Sequence, residues 1–399
     1  MLQQGAPSPV TPQTPGDSPG RPAPQNEPRG AALPVVMHFP APYWPGESRP
    51  YQLSQHLARH RRVIYVAADD APRDPHLRRL MPRSQIAGRV GDVELVTQRL
   101  SRGYEGLRRR NQKAAAFLND RSLDQVLRSL GVSSHWTYTI GAFGDWAADR
   151  SDALRGVEII DPIFEGDPEA AWRSITRVTE SADLLLATAT ALSDELQRRG
   201  QRAEMLPNAV SSSLVLDSEA DLPPAADPPT AVYVGTVDWR FDADLVDRVA
   251  TLLPNWRFVI AGRINHDMAH AVAPLTGHPH IEMTGSISED QKKALLRTAR
   301  VGLVPFALGR VADGVNPTKV YEYAAYGLPI VATASQACTE LSPPVRVATT
   351  PDEFAEAIER CGSGRRPSVQ SLSFARSNTW SDRAERLHEL MSDREARRR

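Results

Sequence analysis

Residues 301–333 read VGLVPFALGRVADGVNPTKVYEYAAYGLPIVAT, and the architecture of the chain can be worked outward from them. A short apolar strand ends at Pro305–Phe306, and a glycine-bearing loop follows. Asn316 is expected as the N-cap of a helix, with Pro317 at its first position. The helix runs from Thr318 to about Tyr326, Gly327 is a natural residue just past its end, and the next strand starts at Pro329. One loop thus delivers a helix N-terminus to the carboxyl edge of a parallel sheet. Free N–H groups and the helix dipole attract phosphate there, and Lys319 in the first turn adds a full positive charge. Glu322 lies on the same face one turn deeper, where a carboxylate can accept hydrogen bonds from a ribose diol. A helix with a Lys–Glu pair and nothing bound has the same spacing, so spacing alone leaves both readings open.

The flanking sequence repeats the same grammar. Upstream, short apolar runs alternate with amphipathic stretches: PVVMHF, then 48–60; VIYVAA, then helical stretches to about 130; WTYTI; VEIID; 168–180; ADLLLAT; 189–199; AEMLPN. A second series follows: AVYVG, a helix over 242–253, RFVIAG, a helix near 266–274, HIEMTG, a helix over 288–299, VGLVPF, PIVAT, VRVA and a helix over 351–361. Such alternation predicts α/β architecture with parallel sheets flanked by helices, here two tandem Rossmann-like domains. Residues 211–230 carry two Pro-Pro pairs and no period, and read as a linker. Residues 1–34, with nine prolines and four glycines, read as a disordered arm that cannot bury enough surface to offset its ordering entropy. The expected organisation is the arm 1–34, a domain over 35–210, the linker, a domain over 231–379, and a helix over 380–399 crossing back to the first domain. In sheets of this kind ligands bind at the carboxyl ends of the strands, so two crevices are expected to face each other.

Composition narrows the function classes. The 399 residues carry 47 Lys+Arg against 48 Asp+Glu, which removes any global electrostatic case for nucleic acid. Only four of the basic residues are lysines, at 113, 292, 293 and 319, and the rest are arginines. Two cysteines, Cys338 and Cys361, are too few for a disulfide framework and fit a reducing compartment. The first residues lack a basic and apolar signal pattern, and no run is long and apolar enough to span a bilayer, so a cytoplasmic protein is expected. No GxGxxG follows a strand, and GxxxxGK[ST], HExxH and GxSxG are all missing, which takes the main support from dehydrogenase, P-loop, zincin and α/β-hydrolase readings. His266, His270, His278 and His280 lack the cysteines or clustered carboxylates that would complete a metal shell, so no metal site is expected.

NPTKVYEYAAYGLPIVAT resembles the donor-site signature of GT-B fold glycosyltransferases, in the style of a bacterial branch that includes exopolysaccharide glucuronosyltransferases. YVGTVDWRFDADLV and LLPNWRFVIAG resemble the opening of that family's nucleotide-binding domain. ADLLLATATALSDELQ resembles the close of its first domain, and SNTWSDRAERLHELM resembles its terminal helix. The pieces fall in family order over about 35–395. The resemblance implies a transferase that takes a sugar from a nucleoside-diphosphate sugar, most simply a UDP-sugar, to an acceptor hydroxyl. The nucleotide sugar is then a co-substrate, and no further cofactor or metal is expected. By motif, Lys319 and the amides around Asn316, Pro317 and Thr318 would hold the diphosphate, and Glu322 the ribose. Arg240 would add a phosphate contact, and Gly235 and Gly262 would let the donor approach the backbone. The retaining branch with an E-x7-E signature has a glutamate where this chain has Gly314, with Asp313 adjacent but offset, so an inverting outcome is expected. A nucleotide-sugar epimerase of the same fold and a catalytically silent partner protein remain as alternatives.

An inverting transferase needs a carboxylate to take the acceptor's proton. VEIID puts Asp161 at the end of a short buried strand, and by resemblance it is the candidate base, with Asp145 as rival. The segment HFPAPYWPGESRP supplies an acceptor loop: Tyr43 and Trp44 as a stacking platform, with Gly46, Glu47 and Arg49 beside them. Residues 59–113 hold 14 basic and six acidic side chains, which favours a lipid-linked acceptor or contact with an anionic membrane surface. Solvated helix faces in an arginine-biased protein would look alike.

Overall fold

The alternation of buried strands and amphipathic helices resolves into two units. The computed structural model describes residues 32–39, 43, 46, 48–68, 83–99, 112–140, 153–161, 168–217, 222–364 and 367–398. Unit 1 takes Met1–Ala187, Glu195–Leu206 and Ala384–Arg399, and unit 2 takes Thr188–Asp194 and Pro207–Arg383. Among the described residues, no helix is long and apolar enough to cross a membrane.

Unit 1 is built on a sheet of order β3-β4-β2-β1-β5-β6-β7-β8. Its strands are β1 (Val35–Phe39), β2 (Val63–Ala68), β3 (Arg83–Val90), β4 (Val93–Arg99), β5 (His135–Ile140), β6 (Ala153–Ile159), β7 (Leu184–Ala187) and β8 (Glu204–Met205). Its helices are α1 (Arg49–Leu57), α2 (Gln112–Ser129), α3 (Pro168–Glu180) and part of α4 (Thr190–Arg198). All neighbours pair parallel except β3 and β4, which form an antiparallel hairpin. The helical stretches expected from 69 to 130 are therefore corrected over 83–99: RSQIAGRV and VELVTQR alternate along an edge hairpin closed by Gly91–Asp92. Strands β1 and β7 are apolar and largely buried, as in a parallel sheet covered on both faces, and β5 is buried throughout although it carries His135, Thr137 and Thr139. The order reverses between β1 and β5, which marks a crevice at their carboxyl ends.

The last helix, α13 (Trp380–Arg398), is stitched into unit 1 by its second half. Arg61, 5% exposed, donates to Glu395 at 2.7 Å, to Ser392 Oγ at 3.0 Å and to the His388 carbonyl at 3.3 Å. Glu395 Oε1 also accepts from Trp136 Nε1 at 2.7 Å. Leu387, Leu390 and Met391 join the apolar cluster that includes Trp136 and Tyr138. The buried ion pair is thus hydrogen-bonded on several sides, which is what keeps such charges tolerable in a core.

Unit 2 is a six-stranded parallel sheet of order β11-β10-β9-β12-β13-β14. The strands are β9 (Thr230–Val234), β10 (Arg257–Ala261), β11 (Ile281–Gly285), β12 (Val301–Val304), β13 (Ile330–Thr333) and β14 (Val345–Ala348). Around them lie α5 (Ala243–Leu252), α6 (Ala273–Thr276), α7 (Glu289–Thr298), α8 (Arg310–Asp313), α9 (Thr318–Ala325), α10 (Gln336–Glu340), α11 (Pro351–Gly362) and α12 (Val369–Arg376). The helix expected near 266–274 is instead a 3-10 turn over His266–Met268 followed by the short α6. Residues 211–217 fall within unit 2: the Leu216 amide donates to Ala325 O at 3.0 Å, and Arg376 reaches the Leu216 carbonyl at 3.2 Å. The strand order reverses between β9 and β12, and α9, the second helix after β12, starts beside the carboxyl end of β9, where Lys319 meets Gly235.

Candidate functional site

That reversal point gathers the residues of the 301–333 stretch with those after β9. Helix α9 is pinned from below by Tyr323, which is fully buried and whose hydroxyl accepts from the Val234 amide of β9 at 2.8 Å. Gly302 on β12 makes room for it: a Cβ there would lie 2.4 Å from the Tyr323 ring. The loop after β12 is locked by Thr333, whose hydroxyl donates to Phe306 O at 2.7 Å and accepts from Phe306 N at 3.1 Å. The loop after β9 is tied to it, with Ala307 N donating to Arg240 O at 2.7 Å and Asp242 N to Pro305 O at 2.9 Å. Both loops are thereby held on the sheet edge.

Lys319, in the first turn of α9, extends across the end of β9. Its ammonium lies 4.9 Å from the centre of the Tyr233 ring and 5.5 Å from that of Phe306. Both contacts are cation–π in kind. Among the described residues no carboxylate stands within ion-pair distance of it. Its pKa is pushed down to about 8, by burial first and then by the Arg240 charge, against the opposing pull of Asp238 and Glu322. A cation so held gains more from an arriving anion than one already neutralised.

The glycines of this edge serve the protein's own chain. Gly235 has φ +145°, and a Cβ on it would stand 2.5 Å from Lys319 Cε. Gly262 has φ +151°, and its Cβ would stand 2.0 Å from the Gly235 carbonyl oxygen. The room left by Gly235 is taken by Lys319, and that left by Gly262 by the Gly235 backbone. Arg240 is tied to Asp238 at 2.5 Å and lies 5.6 Å from the Trp239 ring centre. Burial raises the Asp238 pKa, but its hydrogen bonds to Arg240 and the charges of Arg240 and Lys319 outweigh this and hold it below the ordinary carboxylate range.

Helix α9 is capped differently from expectation. The N-cap is Pro317, with no side-chain cap, and Thr318 opens the helix with an exposed side chain. Asn316 is buried, with its side-chain oxygen accepting from Asn208 N at 2.8 Å and from the Tyr321 hydroxyl at 3.0 Å. Asn208 Nδ2 also donates to the Asn316 carbonyl at 2.7 Å. Asn316 therefore fixes the loop. The first-turn amides of α9 receive no side-chain cap from the residue preceding the helix, which suits an anion. Gly314 is buried, and Asp313 accepts from Gln336 N at 2.8 Å, so this carboxylate serves the start of α10.

Glu322 has a partner that the sequence reading missed. Lys292, from α7, stands 2.5 Å from Glu322 Oε1 and 3.0 Å from Glu289 Oε2. Burial works against the Lys292 charge, but the two carboxylates outweigh it and hold the ammonium above its ordinary pKa. The one available signal was scarcity: two of the four lysines in the chain converge here.

The acceptor-side expectations fall on unit 1. Asp161 is exposed, two residues beyond the end of β6 rather than on its last position. Trp44, Glu47 and the rival Asp145 lie outside the described residues. Gly46 is exposed, and its carbonyl accepts from Gln52 Nε2 at 2.8 Å. Tyr43 is corrected from platform to packing. It is 5% exposed, tilted against Tyr65 at 4.4 Å and Tyr51 at 5.2 Å, with its hydroxyl bonded to Ser54 Oγ at 2.7 Å and Gln55 Nε2 at 2.9 Å. Burial pushes its phenol up to about 12. Arg49 is likewise internal: buried at the start of α1, it pairs with the fully buried Glu158 and donates to Leu206 O at 2.7 Å. Among the described residues no group of three metal-ligating side chains is found.

Residues 228–363 match the family model described as glycosyl transferases group 1. None of the curated proteins matches the chain by sequence. Among solved structures, the chain is similar to a sucrose-phosphate synthase from Thermosynechococcus elongatus, with a TM-score of 0.68 and 14% identity over 91% of this chain and 99% of that one. It is similar also to a UDP-forming α,α-trehalose-phosphate synthase from Burkholderia xenovorans, crystallised with glucose-6-phosphate (TM-score 0.65, 14% identity, 90% and 100% covered). A third is AviGT4, a glycosyltransferase involved in avilamycin A biosynthesis (TM-score 0.59, 16% identity, 90% and 97% covered). The fold expected from the resemblance, GT-B, is the fold found.

Proposed function

We propose that this chain, a glycosyltransferase of the GT-B type by its matched domain and its fold, moves a sugar from a nucleoside-diphosphate sugar, most simply a UDP-sugar, to an acceptor hydroxyl. The observation that carries the donor side is Lys319: an ammonium without a carboxylate partner among the described residues, set at the first turn of α9 where the strand order reverses. A diphosphate there would meet a full charge and the helix amides together. Glu322, one turn deeper, would accept from the ribose diol.

In this reading the acceptor oxygen attacks the anomeric carbon, and the bond from that carbon to the diphosphate oxygen breaks with its electron pair. The leaving diphosphate carries the developing charge, which Lys319 and the α9 amides stabilise without calling on a metal. Asp161, exposed beyond β6, takes the acceptor's proton. Gly314, in place of a second glutamate, supports inversion. The acceptor is a glycan, glycolipid or natural product, and the basic excess of 59–113 favours an anionic or lipid-linked one.

Calorimetric titration with UDP, GDP, dTDP and ADP tests the donor side, with Lys319→Ala and Glu322→Ala alongside. Binding of one nucleotide, weakened in both variants, is expected, whereas no binding to the folded protein overturns the reading. For the nucleotide that binds, transfer from its sugar derivatives follows. Asp161→Asn should then lower the transfer rate by about 10²–10⁴-fold with nucleotide affinity unchanged.

A further inference from the structure

The contact between Lys292 and Glu322 joins two helices that the sequence separates by a whole strand and its flanking loops. Lys292 lies on α7, after β11, and Glu322 on α9, after β12. The two side chains are 14% and 17% exposed, so the pair is largely desolvated but still reached by solvent. Lys292 is also drawn to Glu289, 3.0 Å away on its own helix, which orients the ammonium between two carboxylates. Helix α7 is itself firmly started. Ser288 accepts from Gln291 N at 3.2 Å and Gln291 Oε1 accepts from Ser288 N at 2.8 Å, a reciprocal cap one residue before Lys292. The anchor of the ammonium is therefore a stiff one.

A carboxylate offers about four lone-pair sites. An ammonium beside Oε1 occupies part of that capacity and restricts the rotation of the group, while the remaining sites stay able to accept. Resting on the donor-site reading above, we propose that Lys292 is a positioning residue for nucleoside recognition: it fixes the Glu322 carboxylate in place so that it accepts from both hydroxyls of the ribose. The ligand class it selects is a ribonucleoside diphosphate over its deoxy counterpart. Lysine suits this place because a compact ammonium touches two carboxylates at once without the planar fork of a guanidinium. In a chain with four lysines among 47 basic residues, that choice stands out against the arginine background.

The test compares each ribonucleotide with its 2′,3′-dideoxy analogue by calorimetry, using the UDP, ADP and GDP pairs. Wild-type protein is expected to prefer the ribose form by about tenfold or more, as two hydrogen bonds to a charged acceptor would give. In Lys292→Met the preference should fall to about twofold, while affinity for the dideoxy form, set by the diphosphate, stays within about twofold of wild type. Lys292→Arg, which restores the charge, should recover most of the preference. Lys292→Gln serves the same comparison where the methionine variant fails to fold, as judged by circular dichroism. A preference unchanged in the neutral variants overturns the proposal, as does an equal loss of affinity for both forms. Wild-type protein that binds a diphosphate through Lys319 with no ribose preference overturns the proposal alone, whereas binding of no nucleotide overturns the donor-site reading as well.

Discussion

Nucleotide binding should weaken as pH rises through the range in which Lys319 loses its proton. With a pKa of about 8, the ammonium is about nine-tenths charged at pH 7 and about one-tenth charged at pH 9. The groups facing it are the Arg240 and Asp238 charges, Glu322 on its own helix, and the Tyr233 and Phe306 rings. Burial and Arg240 lower the pKa in the free protein, and an arriving diphosphate would raise it again. The sign follows from that difference: the complex binds more protons than the free protein above pH 7, so affinity drops with rising pH. If the charged form alone holds the diphosphate, the loss between pH 7 and 9 is about tenfold, or about 1.4 kcal/mol. Calorimetry in buffers of different ionisation enthalpy should also show uptake of about half a proton per binding event at pH 8. Lys319→Arg removes the titration and should flatten the profile, since guanidinium stays charged throughout. A wild-type affinity that is level from pH 7 to 9, or a slope that survives in Lys319→Arg, would refute the reasoning.

Four further outcomes are expected. Gly235→Ala should destabilise by about 1–3 kcal/mol in urea unfolding, because it forces a side chain into a positive-φ position. Gly262→Ala should cost more, since its obstacle is the Gly235 carbonyl rather than the end of a flexible lysine. Arg61→Met should lower stability by about 3–5 kcal/mol by leaving Glu395 buried without its cation, and Arg61→Met with Glu395→Gln should lie closer to wild type. Tyr43→Phe should cost about 0.5–1.5 kcal/mol of stability through its lost bonds to Ser54 and Gln55, and leave acceptor KM unchanged. A raised KM with unaltered stability would return Tyr43 to the acceptor site.

What the sequence made legible was local. The strand–loop–helix–strand course of 301–333 is written in its apolar runs, prolines and glycines, and helical spacing sets Lys319 and Glu322 on one face, while their proposed donor-site roles come from the family resemblance. Asn316 misled because a good cap residue before a proline has other uses: its amide is spent on Asn208, more than a hundred positions away. Tyr43 misled in the same way, since an aromatic in a Pro-Gly loop reads as exposed until Tyr65 and Tyr51 are seen around it. The hairpin of β3 and β4 carried a signal in Gly91–Asp92 between two alternating runs, but polar edge strands imitate amphipathic helices over short windows. Lys292 was out of reach for a different reason. Its meeting with Glu322 depends on the order of strands in the sheet, which no local pattern encodes.

The stitching of α13 into unit 1 bears on how the protein is made. Arg61 and Glu395 are 334 positions apart, and Trp136 and Glu395 are 259 apart. On a ribosome the first unit to emerge cannot satisfy these two donors until the whole of the second unit has been translated. At about 5–20 residues per second, that interval lasts on the order of tens of seconds, far longer than local helix and hairpin formation. For that time a buried guanidinium and an indole N–H lack their acceptor, and the apolar surface that Leu387, Leu390 and Met391 will cover stands open. The first unit therefore completes its core only once a helix reaching more than 250 positions downstream of Trp136 has been made.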